Sequence, residues 1–311
     1  MLGRIIFILL ITAVSVFPGP ACSSEEKRCQ TEEEWNPLSA GPVITWTAPV
    51  CGKGEFIVQP FLIYNRTFGA FDAEGHYEPL PKGDKEYQYQ EQLFAQYGIT
   101  NKFEVDALIT YQENYIRQDN SKASADGFGD SYLFLRYCAF EEKGWRPHIT
   151  CLTQLKIPTG KYQHVDPDNL GADLMGAASG GGSWDGGIGI NLSKRLKPFI
   201  FHADAVYSFP RQVLVEGAKT SYGNYFNYDF AVECFLPGGF NLLFEANEFV
   251  QGDMKQNDAK IPATGSDSFT LGFGAGWSND KIQTLLAYLR TAAGTNTDAY
   301  DSVILTCIYA F

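Results

Sequence analysis

The chain has 311 residues, a net charge of −12, an aromatic content of 14% and 31 glycines. The negative charge argues against nucleic acid as a partner, because phosphate backbones attract basic surfaces. No segment has the roughly 18 consecutive apolar residues of a transmembrane helix, which argues against a helical membrane protein. The aromatic and glycine contents suit a β-barrel, which needs aromatic side chains at the membrane interfaces and tightly turning strands.

Residues 1–21 have the pattern of a secretory signal peptide. Arg4 supplies the positive charge, an apolar run follows it, and Pro18-Gly19-Pro20-Ala21 supply small residues at a cleavage site. We therefore expect export and removal of this segment. Cys22 comes directly afterwards, so lipidation is an alternative to plain cleavage.

Residues 22–53 form a segment of different composition. An acidic run precedes a stretch rich in Pro, Trp and Thr, and the pattern is too irregular for a strand. Two interpretations stay open: a solvated periplasmic tail, or a plug folded into a barrel lumen. Cys29 and Cys51 are a candidate disulfide, since both precede the first strand and the periplasm is oxidising. The cysteine spacings do not resemble a zinc site, and we expect neither a metal nor a cofactor.

From residue 54 onward the sequence predicts an all-β protein, a transmembrane antiparallel up-and-down β-barrel of about 12 strands over 54–311. Apolar and polar residues alternate in segments separated by connections that switch between short and long. Short turns face the periplasm and long loops the exterior in this architecture. The predicted strands are 55–66, 86–98, 102–116, 127–140, 146–158, 183–194, 198–209, 223–236, 239–251, 267–278, 281–291 and 299–311.

The last strand carries an apolar face that closes on an aromatic residue. Val303, Leu305, Cys307, Tyr309 and Phe311 fall at every second position, which is the strand period. This pattern resembles the C-terminal signature of bacterial outer-membrane barrels, so Tyr309 and Phe311 are the predicted membrane-insertion signal. Outer-membrane lipid and the barrel-assembly machinery are then the expected partners. A soluble sandwich predicts the same alternation, but the signal peptide, the terminal aromatic and the loop rhythm favour the outer membrane.

The polar faces of these strands would make a charged lumen, because charges persist inside a barrel only where water or a partner solvates them. A water-filled acidic pore would favour cations or neutral polar solutes. Charge pairs across a narrow barrel would instead close the lumen and make it structural. The expected lumen-lining residues are Glu104, Asp106, Arg136, Lys156, Asp185, His202, Asp204, Asp229, Glu233 and Glu245.

Two patterns suggest chemistry only weakly. His202 and Asp204 share the predicted lumenal face, and a His–Asp pair can be part of a catalytic triad. The sequence places no serine as a nucleophile and contains no G-x-S-x-G elbow, so we expect no enzyme and no catalytic residues. The stretch 166–173 resembles a calcium loop in part, but Leu170 occupies its fifth position and no Glu closes it.

Three motifs in the middle of the chain carry a family resemblance. They are Gly127-Phe128-Gly129-Asp130 with the strand after it, Lys156-Ile157-Pro158-Thr159-Gly160, and the glycine-rich stretch 180–189. Over about 55–311 the chain resembles the outer-membrane transporter family associated with the MetA pathway of phenol degradation. The resemblance implies a β-barrel that passes small solutes, with aromatic compounds among the candidates. Pro158 would lie at the outer rim, where it costs no ladder hydrogen bond.

The expected function is therefore an outer-membrane channel or transporter for small solutes, with aromatic or apolar compounds as one candidate class. One alternative is a closed, structural or adhesive barrel that acts through its long loops, above all 159–182. A lumenal hydrolase using His202 and Asp204 is the least favoured alternative.

Overall fold

The computed structural model describes residues 35, 41–118, 121–160, 180–215, 217–279 and 281–310. The described residues from 41 to 310 belong to one compact unit. The predicted signal peptide, Cys29, the calcium-like stretch 166–173 and Phe311 lie outside the described residues. In the part of the chain described here, no helix is both long enough and apolar enough to cross a bilayer.

The described chain is built from β-strands. In chain order they are β1 Phe56–Phe71, β2 Tyr77–Pro79, β3 Lys85–Gly98, β4 Phe103–Gln118, β5 Ser121–Phe128, β6 Ser131–Phe140, β7 His148–Ile157, β8 Asp185–Leu196, β9 Phe199–Pro210, β10 Val213–Val215, β11 Ala218–Ser221, β12 Tyr225–Phe235, β13 Phe240–Gln251, β14 Lys255–Gln256, β15 Ala259–Lys260, β16 Ser266–Ser278, β17 Ile282–Thr295 and β18 Thr297–Ala310. A single 3₁₀ turn, Pro237–Gly239, joins β12 to β13.

Twelve of these strands close into an antiparallel barrel. Each long strand pairs with its neighbours in sequence order, and β18 returns to pair with β1. The barrel strands are β1, β3, β4, β6, β7, β8, β9, β12, β13, β16, β17 and β18. The predicted all-β barrel of about twelve strands is confirmed, because period-two alternation leaves each strand one face for the interior and one for the exterior.

One predicted strand is divided in the structure. The predicted segment 127–140 contains the end of β5 and all of β6. The inner part of β4 pairs with β6, whereas its outer part pairs with β5 and extends past the barrel rim. Gly129 and Asp130 therefore lie at the corner where the chain leaves the β4–β5 hairpin and joins the barrel wall.

The two ends of the barrel differ in their connections. Tight turns follow β3, β8, β12 and β16 at the end where β1 begins. The longer connections leave from the opposite end, and two of them, around β10–β11 and β14–β15, pair into a separate four-stranded sheet. Only Asn296 separates β17 from β18, so this connection is short although it lies at the long-loop end. The other connections follow the arrangement of bacterial barrels, in which the short turns face the periplasm.

The exterior is apolar and ends in aromatic girdles. Leu133, Leu135, Ile188, Ile190 and Leu286 are all at least 40% exposed on the outer face. Large aromatic side chains at the short-turn end are also exposed; they are Phe56, Tyr97, Phe103, Tyr137, Phe199, Phe240, Trp277 and Tyr309. An apolar band with interfacial aromatics is the surface that a bilayer requires of a spanning barrel.

Strands β1 and β17 carry apolar residues on both faces, and the structure explains why. Their inward side chains Phe61, Leu285 and Leu289 form a buried cluster that includes Val43 from the N-terminal segment. The inner apolar face is thus a packing surface for that segment, while the outer apolar face meets lipid.

Candidate solute pathway and plug

Residues 41–53, called the plug segment here, lie inside the barrel. The segment contains no strand, so its backbone groups need partners from the wall. Wall side chains accept hydrogen bonds from its N–H groups along its length. The bonds run from Ile44 N and Thr45 N to Glu245 Oε1 (3.2 and 3.3 Å), from Trp46 N to Asp204 Oδ2 (2.7 Å), from Ala48 N to Ser193 Oγ (2.8 Å), from Cys51 N to Glu104 Oε2, and from Lys53 N to Asn101 Oδ1 (3.0 Å).

The wall also donates hydrogen bonds to carbonyl groups of the plug segment. Arg136 Nη2 donates to the carbonyl oxygen of Thr47 and, at 3.4 Å, to that of Pro49. The hydroxyl of Thr150 donates to the carbonyl oxygen of Ala48. These bonds hold residues 44–53 against inward side chains of the wall, while the tail and plug interpretations of residues 22–53 as a whole stay predictions.

Arg136 is the centre of a fully buried charge cluster. Its Nη1 lies 2.5 Å from Glu104 Oε1 and 3.8 Å from Asp106 Oδ2, and all three side chains are at most 1% exposed. Glu104 and Arg136 are register partners on the adjacent strands β4 and β6. The guanidinium also lies 5.6 Å from the ring centroid of Trp46, within cation–π distance. The cluster thus pairs Glu104 with Arg136 along the wall, keeps Asp106 beside the same guanidinium and contacts the plug segment.

A second cluster brings the motif residues together. Lys156 Nζ lies 2.6 Å from Asp185 Oδ2 and 3.7 Å from Asp130 Oδ2. Asp130 also accepts hydrogen bonds from the backbone N–H groups of Gly160 (3.2 Å) and Gly181 (2.8 Å). The three motifs that are far apart in sequence therefore meet at one point, where they fix both ends of the connection 160–181.

His202 has different partners from those expected of a hydrolase. Its Nδ1 lies 2.8 Å from Ser193 Oγ and its Nε2 lies 3.2 Å from Glu233 Oε1. Asp204, the partner suggested by the sequence, instead holds the plug segment through Trp46. In a catalytic triad the serine faces Nε2 and the acid faces Nδ1, so this order is reversed. The hydrogen bond from Ala48 N–H to Ser193 Oγ further ties this serine to the plug segment.

Carboxylates on β9, β12 and β13 gather beside the first half of the plug segment. Asp204 and Asp229 are register partners, and Asp229 Oδ1 accepts a hydrogen bond of 3.1 Å from Asn247 Nδ2. Glu245 Oε2 and Asp204 Oδ1 are buried without a hydrogen-bond partner among the described residues. This acidic surface binds the plug segment through backbone N–H groups, so it does not depend on the identity of the plug side chains.

Two adjoining cavities occupy the remaining lumen beside β1 and β3. The outer cavity has a volume of about 450 Å³ and is bordered by Glu86, Tyr87 and Asp298. The inner cavity, of about 440 Å³, lies between the plug segment and the wall. Asn65 and Tyr300 border both cavities, so the two cavities adjoin between the long-loop end and the plug segment.

The ten residues expected in the lumen are all buried in the structure, each at most 8% exposed. Four of them, Glu104, Arg136, Asp204 and Glu245, contact the plug segment, and only Arg136 of the ten borders the inner cavity. Cys51 is buried in the plug segment, and its pairing with Cys29 stays a prediction. Recognition of Tyr309 and Phe311 by the assembly machinery also stays a prediction.

Sequence reasoning missed the residues that border the cavities. Glutamines at 88, 90, 92 and 96 alternate with Tyr89, Leu93 and other outward residues of β3, a spacing of two that places them on the inner face. That spacing was the available signal. It was overlooked because charged side chains were taken as the mark of the lumenal face, and amides carry no charge.

Comparisons with known proteins agree with this architecture. The model of the family described as "Putative MetA-pathway of phenol degradation" matches residues 86–305. No curated protein matches the chain. An outer membrane channel from Pseudomonas putida F1 has a TM-score of 0.72 at 14% identity, over 88% of this chain and 100% of that chain. The NanC porin has a TM-score of 0.47 at 10% identity, over 81% and 98% of the two chains.

The translocator domain of the autotransporter NalP from Neisseria meningitidis has a TM-score of 0.44 at 10% identity, over 84% of this chain and 90% of that chain. The family match spans β3 to β18, which is most of the closed barrel. The resemblance noted in the three motifs is thereby confirmed. The chain belongs to the putative MetA-pathway of phenol degradation family and is an outer-membrane β-barrel.

Proposed function

We propose that the protein is an outer-membrane channel for small solutes whose lumen is closed at rest by the plug segment. The observation that carries this proposal is the way the lumen is filled. The plug segment, held through its own backbone, occupies one side of the lumen. Two adjoining cavities of about 450 and 440 Å³ remain on the other side. A pathway with a removable obstruction is the arrangement that a gated channel needs.

The ion pairs of the wall argue against a permanently closed, structural barrel. Arg136 with Glu104 and Lys156 with Asp185 are register partners on neighbouring strands. His202 and Glu233 likewise lie on the paired strands β9 and β12. Pairs of this kind run along the wall without bridging the lumen, so they would persist after displacement of the plug segment.

The binding of the plug segment favours reversible release. Its contacts are mainly single hydrogen bonds to backbone groups, with Val43 and Trp46 as its main apolar anchors. Each such bond contributes about 0.5–1.5 kcal/mol where the wall partner is neutral and about 1.5–3 kcal/mol where it is charged, because water replaces it on release. Lumen water can solvate the freed backbone, which lowers the cost of leaving the wall.

Conductance in planar bilayers tests the proposal. Full-length protein is compared with a form lacking 22–53 and with the variant Glu245→Ala, which removes the acceptor for two plug N–H groups. Asp301→Asn, at an exposed pair with Arg290, is the matched control. We expect rare openings for the full-length protein and the control, and steady openings for the other two. Silence from every form would overturn the proposal and favour the structural or adhesive barrel.

A further inference from the structure

A ladder of neutral amides lines the path between the two cavities. The donors and acceptors alternate: Gln92 Nε2 donates to Gln90 Oε1 (3.2 Å), Gln90 Nε2 donates to Gln88 Oε1 and Gln112 Oε1 (2.5 and 3.4 Å), Gln88 Nε2 donates to Asn114 Oδ1 (2.7 Å), and Asn65 Nδ2 donates to Gln88 Oε1 (2.9 Å). Each primary amide has two donor hydrogens and an acceptor oxygen, so the ladder keeps capacity for further bonds.

The charges along the path change from acidic to neutral. Glu86 and Asp298 border the outer cavity, and their carboxylates would repel an anion there. Arg136 is the charged residue that borders the inner cavity among the described residues, and it is already engaged with Glu104. An ion that passed into the inner cavity would therefore lose water without gaining a charged partner, which is costly.

Gln59 adds one more amide to the border of the inner cavity. It borders the inner cavity, its side chain is 3% exposed, and its Nε2 has no hydrogen-bond partner among the described residues. A buried donor without a partner costs about 1–3 kcal/mol.

The wall facing the amides is apolar. Phe61, Ile63, Phe94 and Leu108 border the inner cavity, and Trp46 of the plug segment forms part of its boundary. Trp46 packs on Phe94 and Phe134 with ring centroids 5.3 and 4.6 Å apart. One polar wall and one apolar, aromatic wall suit a ring compound that has hydroxyl groups at its edge and C–H groups on its face.

We propose that the inner cavity and the amide ladder bind an uncharged, polyhydroxylated ring compound on its way through the barrel. The volume of about 440 Å³ is in the range of small-molecule sites. This inference rests on the proposed channel function, since it names the solute class of that pathway. Binding to the full-length protein is nevertheless measurable without any conductance.

The test uses two probes of one size and different charge: glucose and glucuronate. Ligand-observed NMR with the full-length protein in detergent measures their binding. Variants Gln90→Met/Gln92→Met and Gln59→Met remove ladder or cavity amides at nearly constant length. The matched control is Gln154→Met, an inward amide on β7 that bonds Ser208 at 3.3 Å. A difference in gel-electrophoretic mobility between unheated and heated samples verifies that each barrel is folded.

We expect glucose to bind, and glucuronate to bind at least about tenfold more weakly because its carboxylate finds no partner in the cavity. Each ladder or cavity variant should weaken glucose binding by about tenfold, and Gln154→Met should not. Gln59→Met gives the sharpest reading, since it removes an unpartnered donor and should leave the barrel folded.

Tighter binding of glucuronate than of glucose would overturn the inference. Glucose binding that is unchanged by the substitutions of Gln59, Gln90 and Gln92 would also overturn it. Failure of the channel proposal looks different. In that case no form conducts, whether or not glucose binds. A channel that opens on truncation yet binds neither probe would retain the proposed function and refute only the solute class.

Discussion

The backbone N–H of Trp46 donates a 2.7 Å hydrogen bond to Oδ2 of Asp204, joining the plug segment to β9 across 158 positions of sequence. Asp204 is 5% exposed, so the bond is shielded from competing water. We expect Asp204→Ala to raise the open probability in bilayer recordings, because the N–H group would lose its acceptor at about 1–3 kcal/mol. Asp204→Asn keeps an acceptor oxygen and should stay closer to the wild type. Equal opening by both variants would contradict this account.

Replacement of Arg136 should destabilise the whole barrel. Arg136→Met leaves Glu104 and Asp106 buried without their cation, and breaking a buried pair costs about 3–5 kcal/mol. Urea unfolding in detergent, followed by tryptophan fluorescence, measures the loss. The double variant Glu104→Gln/Arg136→Met should recover part of it, since one stranded charge is removed. A double variant that is less stable than Arg136→Met alone would speak against charge compensation.

Gly98 should be intolerant of even a methyl group. At this last residue of β3, an added Cβ would collide with the carbonyl oxygens of Gly52 and Cys51 in the plug segment. We expect Gly98→Ala to shift the plug segment and increase conductance. Gly252→Ala is the matched control, because the nearest atom to its Cβ is 3.7 Å away. Unchanged conductance of Gly98→Ala would show that the end of the plug segment adapts freely.

Asp130 should control the chain between β7 and β8. Its carboxylate accepts hydrogen bonds from Gly160 N–H and Gly181 N–H, and Asp130→Ala removes both at once. We expect faster proteolysis between residues 160 and 181, with little change in barrel unfolding. Asp130→Asn retains one acceptor oxygen and should be cleaved at an intermediate rate. Cleavage at the wild-type rate in Asp130→Ala would mean that other contacts fix the connection.

The loop containing β14 and β15 should loosen in acid. Lys260 beside Asp253 holds the pKa of that carboxyl below its usual value, and the N–H groups of Gly265 and Thr264 act in the same direction. A depressed pKa stabilises the loop above the ordinary value of about 3.9, and this stability is lost as the pH falls through the depressed pKa.

Amide hydrogen exchange at Gly265 and Thr264, compared at pH 6 and at successively lower pH, measures this loss. Asp253→Asn is the control and should remove the dependence on pH. Protection that stays constant in the wild type down to about pH 2 would refute the role of the carboxylate.

The barrel could be predicted because the alternation of apolar and polar side chains is visible within each strand by itself. In β4, the alternation from Phe103 to Asn114 assigns Glu104 and Asp106 to the inside, and the structure buries both. In β1 and β17 alternation could not assign the inward face, since inward side chains such as Phe61 and Leu289 are apolar like the outward ones. Their orientation depends on Val43, a residue more than a dozen positions before the nearest of them, and no periodicity in either strand reports that contact.

The partners of the lumenal residues were less predictable than their faces. His202 and Asp204 are two positions apart on one strand, yet one bonds Glu233 and the other bonds Trp46. Side chains two positions apart on a strand point the same way without facing each other, so partner choice is decided by the neighbouring strand and by the plug segment.

The sequence by itself determined the all-β class, the strand count and the family, because alternation, turn residues and motifs are properties of short stretches. Only the tertiary structure decided that residues 41–53 fill the lumen, that three distant motifs meet at Asp130, and that amides line the open path. Barrel closure is the physical reason. Pairing of β18 with β1 encloses the lumen. The shape of the lumen and the unpaired polar groups on its wall decide which segment fills it, and both are defined only when the wall is complete.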